Sequence, residues 1–183
     1  MKKLKLQVQV TIDGFVAGPE GQLDWMNFDT DPQQWEYVNK LTDTSDTIIM
    51  GRKMSPGFLN YWENVTKDSP EYSFAQKMIN IPKIIFSKTV KTTNGINARV
   101  ENGDLKTVVN KLKSGSGKDI LVYGGANFVS NLIKEDLIDD YYLFVNPVAI
   151  GKGLSIFQDK KKLELVDTVR NGGEIVNHYK PVR

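Results

Sequence analysis

Three segments of the chain place glycine, hydroxyl or basic residues directly after a short apolar run. They are Met50-Gly51-Arg52-Lys53, Phe86-Ser87-Lys88 and Tyr123-Gly124-Gly125-Ala126-Asn127. Arg and Lys offer charge-assisted donors to phosphate, and Ser adds a neutral donor. Ligands of α/β proteins bind beyond the carboxyl ends of the strands. Each segment alone is a common loop sequence, but together they predict a dinucleotide site at one edge of a sheet.

The third segment has the most specific pattern. Residues 120–123 form an unbroken apolar and aromatic run, which is typical of a strand covered on both faces. Gly124 and Gly125 permit positive φ and close approach of a ligand, and the helical spacing of Phe128, Val129 and Leu132 follows them. The free N–H groups of a helix start favour an anion. The alternative is a tight strand-to-helix connection that binds nothing. The chain has neither G-x-G-x-x-G nor a P-loop, so the usual Rossmann and kinase-type motifs are absent.

Composition excludes several classes of site and partner. The chain has 183 residues, a formal net charge of +2, no cysteine and one histidine, His178. So small a net charge argues against a nucleic-acid partner, because binding by phosphate neutralisation needs a clustered basic face. The missing cysteines exclude disulfides and thiolate zinc sites, and a single histidine excludes a His–His metal site, so we expect no metal. We assign His178 a structural or surface role. No apolar run reaches membrane-spanning length and the amino terminus lacks a signal-peptide pattern, so we expect a cytoplasmic protein without a membrane partner.

Hydrophobic periodicity predicts an α/β fold in which strands and helices alternate before a final hairpin. The apolar alternation of residues 4–12 predicts a strand with one apolar face, and an irregular loop follows at about residues 15–30. The hairpin is signalled by Asn171-Gly172-Gly173. We expect a mixed, mostly parallel central sheet flanked by helices, with a C-terminal antiparallel hairpin. The other predicted strands span residues 46–50, 82–87, 97–100, 120–123 and 139–148, and helices begin at Asp31-Pro32, Ser69-Pro70, Asp104 and after Gly125.

Six motifs occur in an order found in one known family. They are Thr11-Ile-Asp-Gly-Phe-Val-Ala-Gly, Ile48-Ile-Met-Gly-Arg-Lys-Met, Lys83-Ile-Ile-Phe-Ser-Lys-Thr, Ile120-Leu-Val-Tyr-Gly-Gly-Ala-Asn, Leu137-Ile-Asp-Asp-Tyr-Tyr-Leu and Asn146-Pro-Val-Ala-Ile-Gly-Lys-Gly. The chain resembles the dihydrofolate reductase-like family and is most similar to the riboflavin-biosynthesis reductase (RibD C-terminal) domain and its free-standing homologues. The motifs span nearly the whole chain, so the resemblance implies one such domain over residues 1–183.

The resemblance implies NADPH as hydride donor and a homodimer as the assembly. It places Gly51, Arg52, Lys53 and Met54 at a helix start against the phosphates, Ser87 and Lys88 near the adenosine ribose and its 2′-phosphate, and Gly124, Gly125, Ala126 and Asn127 around the pyrophosphate. It also places the loop from Asp13 to Trp25 beside the nicotinamide and the substrate.

The chain departs from the family at two positions on the substrate side. Gln34 stands where dihydrofolate reductases carry a carboxylate, and an amide cannot act as an acid. Phe15 stands where the riboflavin reductase usually carries lysine. We therefore expect neither dihydrofolate nor the riboflavin precursor to be the primary substrate.

Four residues are candidates for contact with the substrate, in addition to Gln34. Asp13 and Asp24 are candidate catalytic carboxylates, although a turn former and a loop or cap residue are the alternatives. Trp25 and Trp35 could stack on a flat substrate, or belong to the core. We expect an NADPH-dependent oxidoreductase acting on a small, planar heterocyclic or carbonyl-like molecule. Two alternatives remain open, which are a non-catalytic dinucleotide-binding protein on the same fold and a dimeric scaffold without a ligand.

Overall fold

The computed structural model describes residues 1–26 and 32–182, with the side chains of residues 32–34 outside the description. Eight strands and five helices are present in this part of the chain. In chain order they are β1 (Leu4–Thr11), α1 (Pro32–Asp43), β2 (Ser45–Gly51), α2 (Ser55–Glu63), α3 (Tyr72–Asn80), β3 (Lys83–Phe86), β4 (Ala98–Glu101), α4 (Leu105–Ser114), β5 (Asp119–Gly124), α5 (Ala126–Lys134), β6 (Asp140–Asn146), β7 (Leu163–Asn171) and β8 (Glu174–Pro181).

All eight strands form one sheet in the order β4-β3-β2-β5-β1-β6-β8-β7. The pairs from β4 across to β6 are parallel, whereas β8 runs antiparallel to both β6 and β7. The turn between β7 and β8 contains Gly172 at φ +64°, a conformation that suits glycine. The predicted mixed sheet with a C-terminal hairpin is therefore confirmed. Because β3, β2 and β5 are neighbours, the three glycine, serine and lysine segments end side by side.

Two apolar clusters cover the two faces of the sheet. One joins β1, β5 and parts of β2 and β3 to α4 and α5, through residues that include Leu6, Val122 and Leu132. The other packs Met50 and Leu121 with residues of α1, α2 and α3. The helices therefore form one layer on each side of the sheet, and the loops between strands and helices meet at its edges.

The central position of β1 gives it two buried faces, although its sequence indicated only one. The even residues Leu4, Leu6, Val8 and Val10 belong to the first apolar cluster. On the other face Lys5 is also buried, and its Nζ lies 2.7 Å from Asp119 Oδ2 and 2.9 Å from Thr44 Oγ1. A buried charge needs such partners. The polar residues of β1 are therefore interior groups covered by neighbouring elements.

Several predicted boundaries shift by one or two residues. The helix expected at Ser69-Pro70 begins at Tyr72, because the Ser69 hydroxyl accepts a bond from the backbone N–H of Glu71 in the preceding turn. Helix α1 begins at Pro32 as expected, and its predicted cap Asp31 lies outside the described residues. Helix α2 was not predicted from periodicity, since Ser55-Pro56-Gly57 has the composition of a turn. Among the described residues, no helix combines the length and apolar character needed to cross a membrane.

His178 lies in β8 and makes structural contacts. Its Nε2 is 2.7 Å from Oδ1 of the buried Asp140. Its ring stacks on Tyr142 with the ring centroids 4.3 Å apart. The histidine thus ties β8 to the adjacent strand β6, and it does not line the cleft described below.

Candidate functional site

A cleft of about 1710 Å³ opens along the edge of the sheet where β2, β3 and β5 end. This volume exceeds that of a pocket for one drug-sized ligand, which is roughly 300–1,000 Å³. All ten residues predicted to bind the cofactor line the cleft: Gly51, Arg52, Lys53, Met54, Ser87, Lys88, Gly124, Gly125, Ala126 and Asn127. We call the part formed by residues 51–54, 86–88, 101–106 and 124–129 the glycine-rich half.

The starts of α2 and α5 meet in the glycine-rich half. A Cβ on Gly51 would lie 2.7 Å from the Cβ of Phe128, so glycine is needed for α5 to pack against the end of β2. Gly124 and Gly125 have φ of +131° and +88°, which L side chains rarely adopt. No side chain caps either helix by a hydrogen bond within the described structure. Two helix starts with uncapped N–H groups therefore face the same space, and such starts favour anions.

The charges of the glycine-rich half are favourable for an anion. Arg52 and Lys53 are exposed, and no carboxylate among the described residues forms a salt bridge with either. Lys88 is also exposed. Hydrogen bonds from Thr107 have the largest effect in lowering the pKa of Asp104, and the charges of Lys106 and Lys88 lower it further. The half thus offers two cations without an intramolecular partner beside two helix starts.

The Ser87 hydroxyl stabilises its own loop as well as lining the cleft. It accepts hydrogen bonds from the backbone N–H groups of Thr89 at 3.1 Å and Val90 at 2.8 Å. The Asn102 amide donates to the carbonyls of Ser87 and Val90 at 2.7 and 2.8 Å. These hydrogen bonds fix the conformation of the loop after β3. They therefore also fix the backbone position of Lys88, which follows Ser87 in that loop.

Most of the rest of the cleft has a different character. We call the part formed by the lining residues within 7–9, 16–26, 35–38, 57–62, 71–74, 123 and 154–156 the aromatic half. It is bounded by β1, by the loop of residues 16–26, and by α1, α2 and α3. Trp62 packs edge-to-face against Phe74, with centroids 5.3 Å apart, and Trp35 meets the same Phe74 at 5.1 Å. Tyr61 contacts Trp62 at 4.8 Å, and its hydroxyl donates to Glu71 Oε2 at 2.6 Å. The half is thus an aromatic wall with a carboxylate at one end.

Three buried polar atoms lie under the aromatic half. The Tyr123 hydroxyl faces the side chains of Thr42 and Gln7. None of the Tyr123 Oη, Thr42 Oγ1 and Gln7 Oε1 atoms has a well-formed hydrogen bond among the described residues. Burial raises the pKa of Tyr123 to about 12, so its phenol stays protonated at neutral pH. Buried polar atoms are usually satisfied, so this group is suited to a polar atom of water or ligand.

Of the predicted substrate residues whose side chains the structure describes, one lines the cleft. Trp35 lines the aromatic half, whereas Asp13, Asp24 and Trp25 are not among its lining residues. Asp24 is exposed and Trp25 is half-buried. Gln34 belongs to α1, and its side chain lies outside the described residues.

Asp13 connects two loops and is not among the residues that line the cleft. Its Oδ2 accepts hydrogen bonds from the backbone N–H groups of Gly151 at 2.7 Å and Ile150 at 3.1 Å. Hydrogen bonds from the Thr11 side chain, Gly151 and Ile150 lower the pKa of Asp13. A carboxylate held in its ionised form by several donors is a poor acid. These contacts agree with the turn-forming role that the sequence left as an alternative, and a catalytic role for Asp13 stays a prediction.

Sequence reasoning missed the residues that give the aromatic half its chemistry. Tyr61 and Trp62 lie on α2, which periodicity did not predict, and Glu71 stands at the start of α3. A signal was nevertheless present, because residues 58–62 contain three aromatic side chains, and an aromatic cluster beside a predicted dinucleotide site suggests a wall for a flat ligand.

Comparisons with known proteins agree with this architecture. A family model described as the RibD C-terminal domain matches residues 2–176. "Uncharacterized protein YyaP" of Bacillus subtilis (strain 168) is 32% identical over 170 residues, which cover 91% of this chain and 88% of that protein.

Two solved structures share the fold. A "Putative riboflavin biosynthesis protein" from Shewanella sp. PV-4 has a TM-score of 0.75 at 21% identity, and the match covers 100% of both chains. The diaminohydroxyphosphoribosylaminopyrimidine deaminase/5-amino-6-(5-phosphoribosylamino)uracil reductase of Thermotoga maritima has a TM-score of 0.70 at 17% identity, and the match covers 99% of this chain and 57% of that one. The family match covers nearly the whole chain, and the chain belongs to the RibD C-terminal domain family.

Proposed function

We propose that this protein is an NADPH-dependent oxidoreductase that transfers a hydride to a small, planar heterocyclic or carbonyl-like substrate. One observation carries the proposal: two uncapped helix starts meet beside Arg52 and Lys53 at the edge where three parallel strands end. Family membership supports it, since a relative of the same fold is named as a reductase.

The glycine-rich half fits a phosphorylated dinucleotide. The N–H groups at the starts of α2 and α5 would bind the pyrophosphate, and the bare backbone of Gly124 and Gly125 allows it to come close. Arg52 and Lys53 would neutralise its charge. Lys88, held beside the ordered Ser87 turn, would contact the 2′-phosphate that distinguishes NADPH from NADH.

The aromatic half fits the substrate. When bound, the nicotinamide supplies the hydride, while the protein aligns and shields the reacting groups. Trp35 and Trp62, which pack against the buried Phe74, would contact a flat substrate and exclude water from it. The protonated Tyr123 hydroxyl would donate a hydrogen bond to a carbonyl oxygen or ring nitrogen that reaches the floor of the cleft.

The experiment compares thermal unfolding with NADPH and with NADH at matched concentrations. A ligand that binds only the folded state stabilises it by about 2.7 kcal/mol at 100 times its Kd. We expect a clear increase in melting temperature with NADPH and a smaller one with NADH. Equal increases would contradict the role of Lys88, and no increase with either would contradict the cofactor.

The alternative function is a dinucleotide-binding protein without turnover. The position of Asp13 favours this alternative, because its carboxylate accepts hydrogen bonds from the loop at residues 150 and 151 and does not line the cleft. NADPH oxidation measured with a panel of quinones, nitroaromatics and pterins distinguishes the two functions. Binding of NADPH without oxidation in the presence of any substrate in the panel would favour the alternative.

A further inference from the structure

The two halves of the cleft differ in the sign of their side-chain charges. Four basic residues line the cleft, and all of them belong to the glycine-rich half: Arg52, Lys53, Lys88 and Lys106. The described residues of the aromatic half include the acids Glu20 and Glu71 and no lysine or arginine. An anionic group in the aromatic half would therefore meet no cation from the described side chains that form it.

The acids of the glycine-rich half are committed to other partners. Asp104 caps α4 through the backbone N–H and the hydroxyl of Thr107, at 2.9 and 2.7 Å. Glu101 accepts from the Gly103 N–H and from Arg99, both at 3.0 Å. Glu71 differs, because its partner is the neutral Tyr61 hydroxyl and no cation of the described residues pairs with it. Its charge therefore remains uncompensated at the cleft.

The contact between Tyr61 and Glu71 holds this charge in place. The phenol donates to Oε2 at 2.6 Å, which is a short, charge-assisted hydrogen bond. Burial, that hydrogen bond and the negative charge of Glu71 together raise the pKa of Tyr61 to about 12. The phenol therefore keeps its proton at neutral pH, and the pair carries the charge of the carboxylate.

Aromatic rings stand next to this carboxylate. Tyr61 meets Trp62 edge-to-face at 4.8 Å, and Trp62 meets Phe74 at 5.3 Å. Indole and phenol faces attract cations as well as flat rings. A negative group beside an aromatic wall is a combination suited to a planar ligand with a cationic or hydrogen-bond-donating edge.

We propose that the aromatic half selects planar heteroaromatic molecules with a cationic or donor edge facing Glu71, and rejects molecules that carry a phosphate or carboxylate there. The inference rests on the proposed function for the assignment of this half to the substrate. It separates this protein from a reductase whose substrate carries a phosphate in this half, because the described side chains here include Glu71 and no lysine or arginine to neutralise that phosphate.

The test uses two probes of similar shape and opposite charge, N-methylquinolinium and quinoline-2-carboxylate. Their binding to the full chain without cofactor is measured by isothermal titration calorimetry. Because the Glu71 carboxylate attracts one probe and repels the other, we expect the cation to bind at least about tenfold more tightly than the anion. Glu71→Gln should reduce this ratio to within about threefold, since it removes the charge and keeps a hydrogen-bond acceptor for Tyr61.

Two further variants complete the experiment. Tyr61→Lys changes a side chain that is 50% exposed and would neutralise Glu71 directly, so the preference for the cation should disappear even if Glu71→Gln folds poorly. Glu164→Gln is the matched control, because it removes an equal charge from an exposed position on β7, outside the cleft. It should leave the ratio unchanged.

The outcomes separate this inference from the cofactor proposal. A preference for the anion in the wild type, or a preference for the cation that persists in both Glu71→Gln and Tyr61→Lys, would overturn the inference. NADPH binding is measured on the same samples by thermal unfolding. Loss of the NADPH effect with retained charge selection would contradict only the proposed cofactor, and the reverse result would contradict only the charge selection.

Discussion

Arg52 gives the sharpest test of the glycine-rich half. It follows β2 directly, its side chain is exposed, and no described carboxylate forms a salt bridge with it. Its backbone N–H donates to the Phe86 carbonyl at 3.2 Å, and its backbone carbonyl accepts from the Ser55 hydroxyl at 3.0 Å. Arg52→Gln should therefore remove a charge from the cleft and leave the start of α2 unchanged.

The expected magnitude follows from the exposure of the guanidinium. A unit charge pair at about 4 Å is worth about 1 kcal/mol in water and about 4 kcal/mol at the effective dielectric near a protein surface. Hydrogen bonds to charged groups contribute about 1.5–3 kcal/mol. Because the side chain is exposed, we take the lower part of this range, about 1.5–2 kcal/mol. The Kd for NADPH should then rise about 10- to 30-fold in the variant.

The assay is titration calorimetry of NADPH at two salt concentrations. Wild-type affinity should fall as salt increases, and the fall should be less steep in Arg52→Gln, because screening acts on the charge that the variant lacks. Arg170→Gln is the matched control, since Arg170 is exposed on β7 and only its Nε makes a weak contact, 3.4 Å from the Gly172 carbonyl oxygen.

A change of less than twofold in Arg52→Gln would refute the reasoning, because the side chain would then not contact the phosphates. An equal loss in Arg170→Gln would refute it as well, since the effect would arise from net charge and not from the cleft.

Three further predictions concern packing, protonation and assembly. Gly51→Ala should cost about 1–3 kcal/mol in urea unfolding, because the new Cβ would lie 2.7 Å from that of Phe128. Burial lowers the pKa of Lys83 to about 8, whereas the unfolded chain holds that proton to about pH 10.4. The free energy of unfolding of the wild type should therefore rise by about 2 kcal/mol between pH 8 and 10 relative to that of Lys83→Met. An equal change of the free energy of unfolding with pH in Lys83→Met would contradict this prediction. We propose a homodimer formed through the edge strand β7, where Leu165 and Val166 are 55% and 45% exposed. Light scattering should show a dimer for the wild type and a monomer for the variant in which Leu165 and Val166 are both replaced by lysine. A wild-type monomer would contradict this proposal.

Local patterns were sufficient to predict the sheet architecture and the three strand-end segments of the glycine-rich half, but not helix α2. Strand alternation, helix caps and the Asn171-Gly172-Gly173 turn each depend on neighbouring residues, so the sequence carries them directly. The three strand-end segments could be placed together for a further reason. Parallel strands bring like ends to one edge, and the sheet order then made β3, β2 and β5 neighbours.

Only the tertiary structure decided the aromatic half and the contacts of Asp13. Tyr61 and Glu71 are ten residues apart, and they meet because α2 and α3 pack on the same face of the sheet. Asp13 is directed to residues 150 and 151 because the loop after β1 pairs with the loop after β6, through contacts such as that between Ala17 and Leu154. Such contacts depend on the spatial order of the strands. A short sequence pattern specifies which donors and charges a segment carries, whereas the order of strands and the packing of helices specify which of them share a cleft.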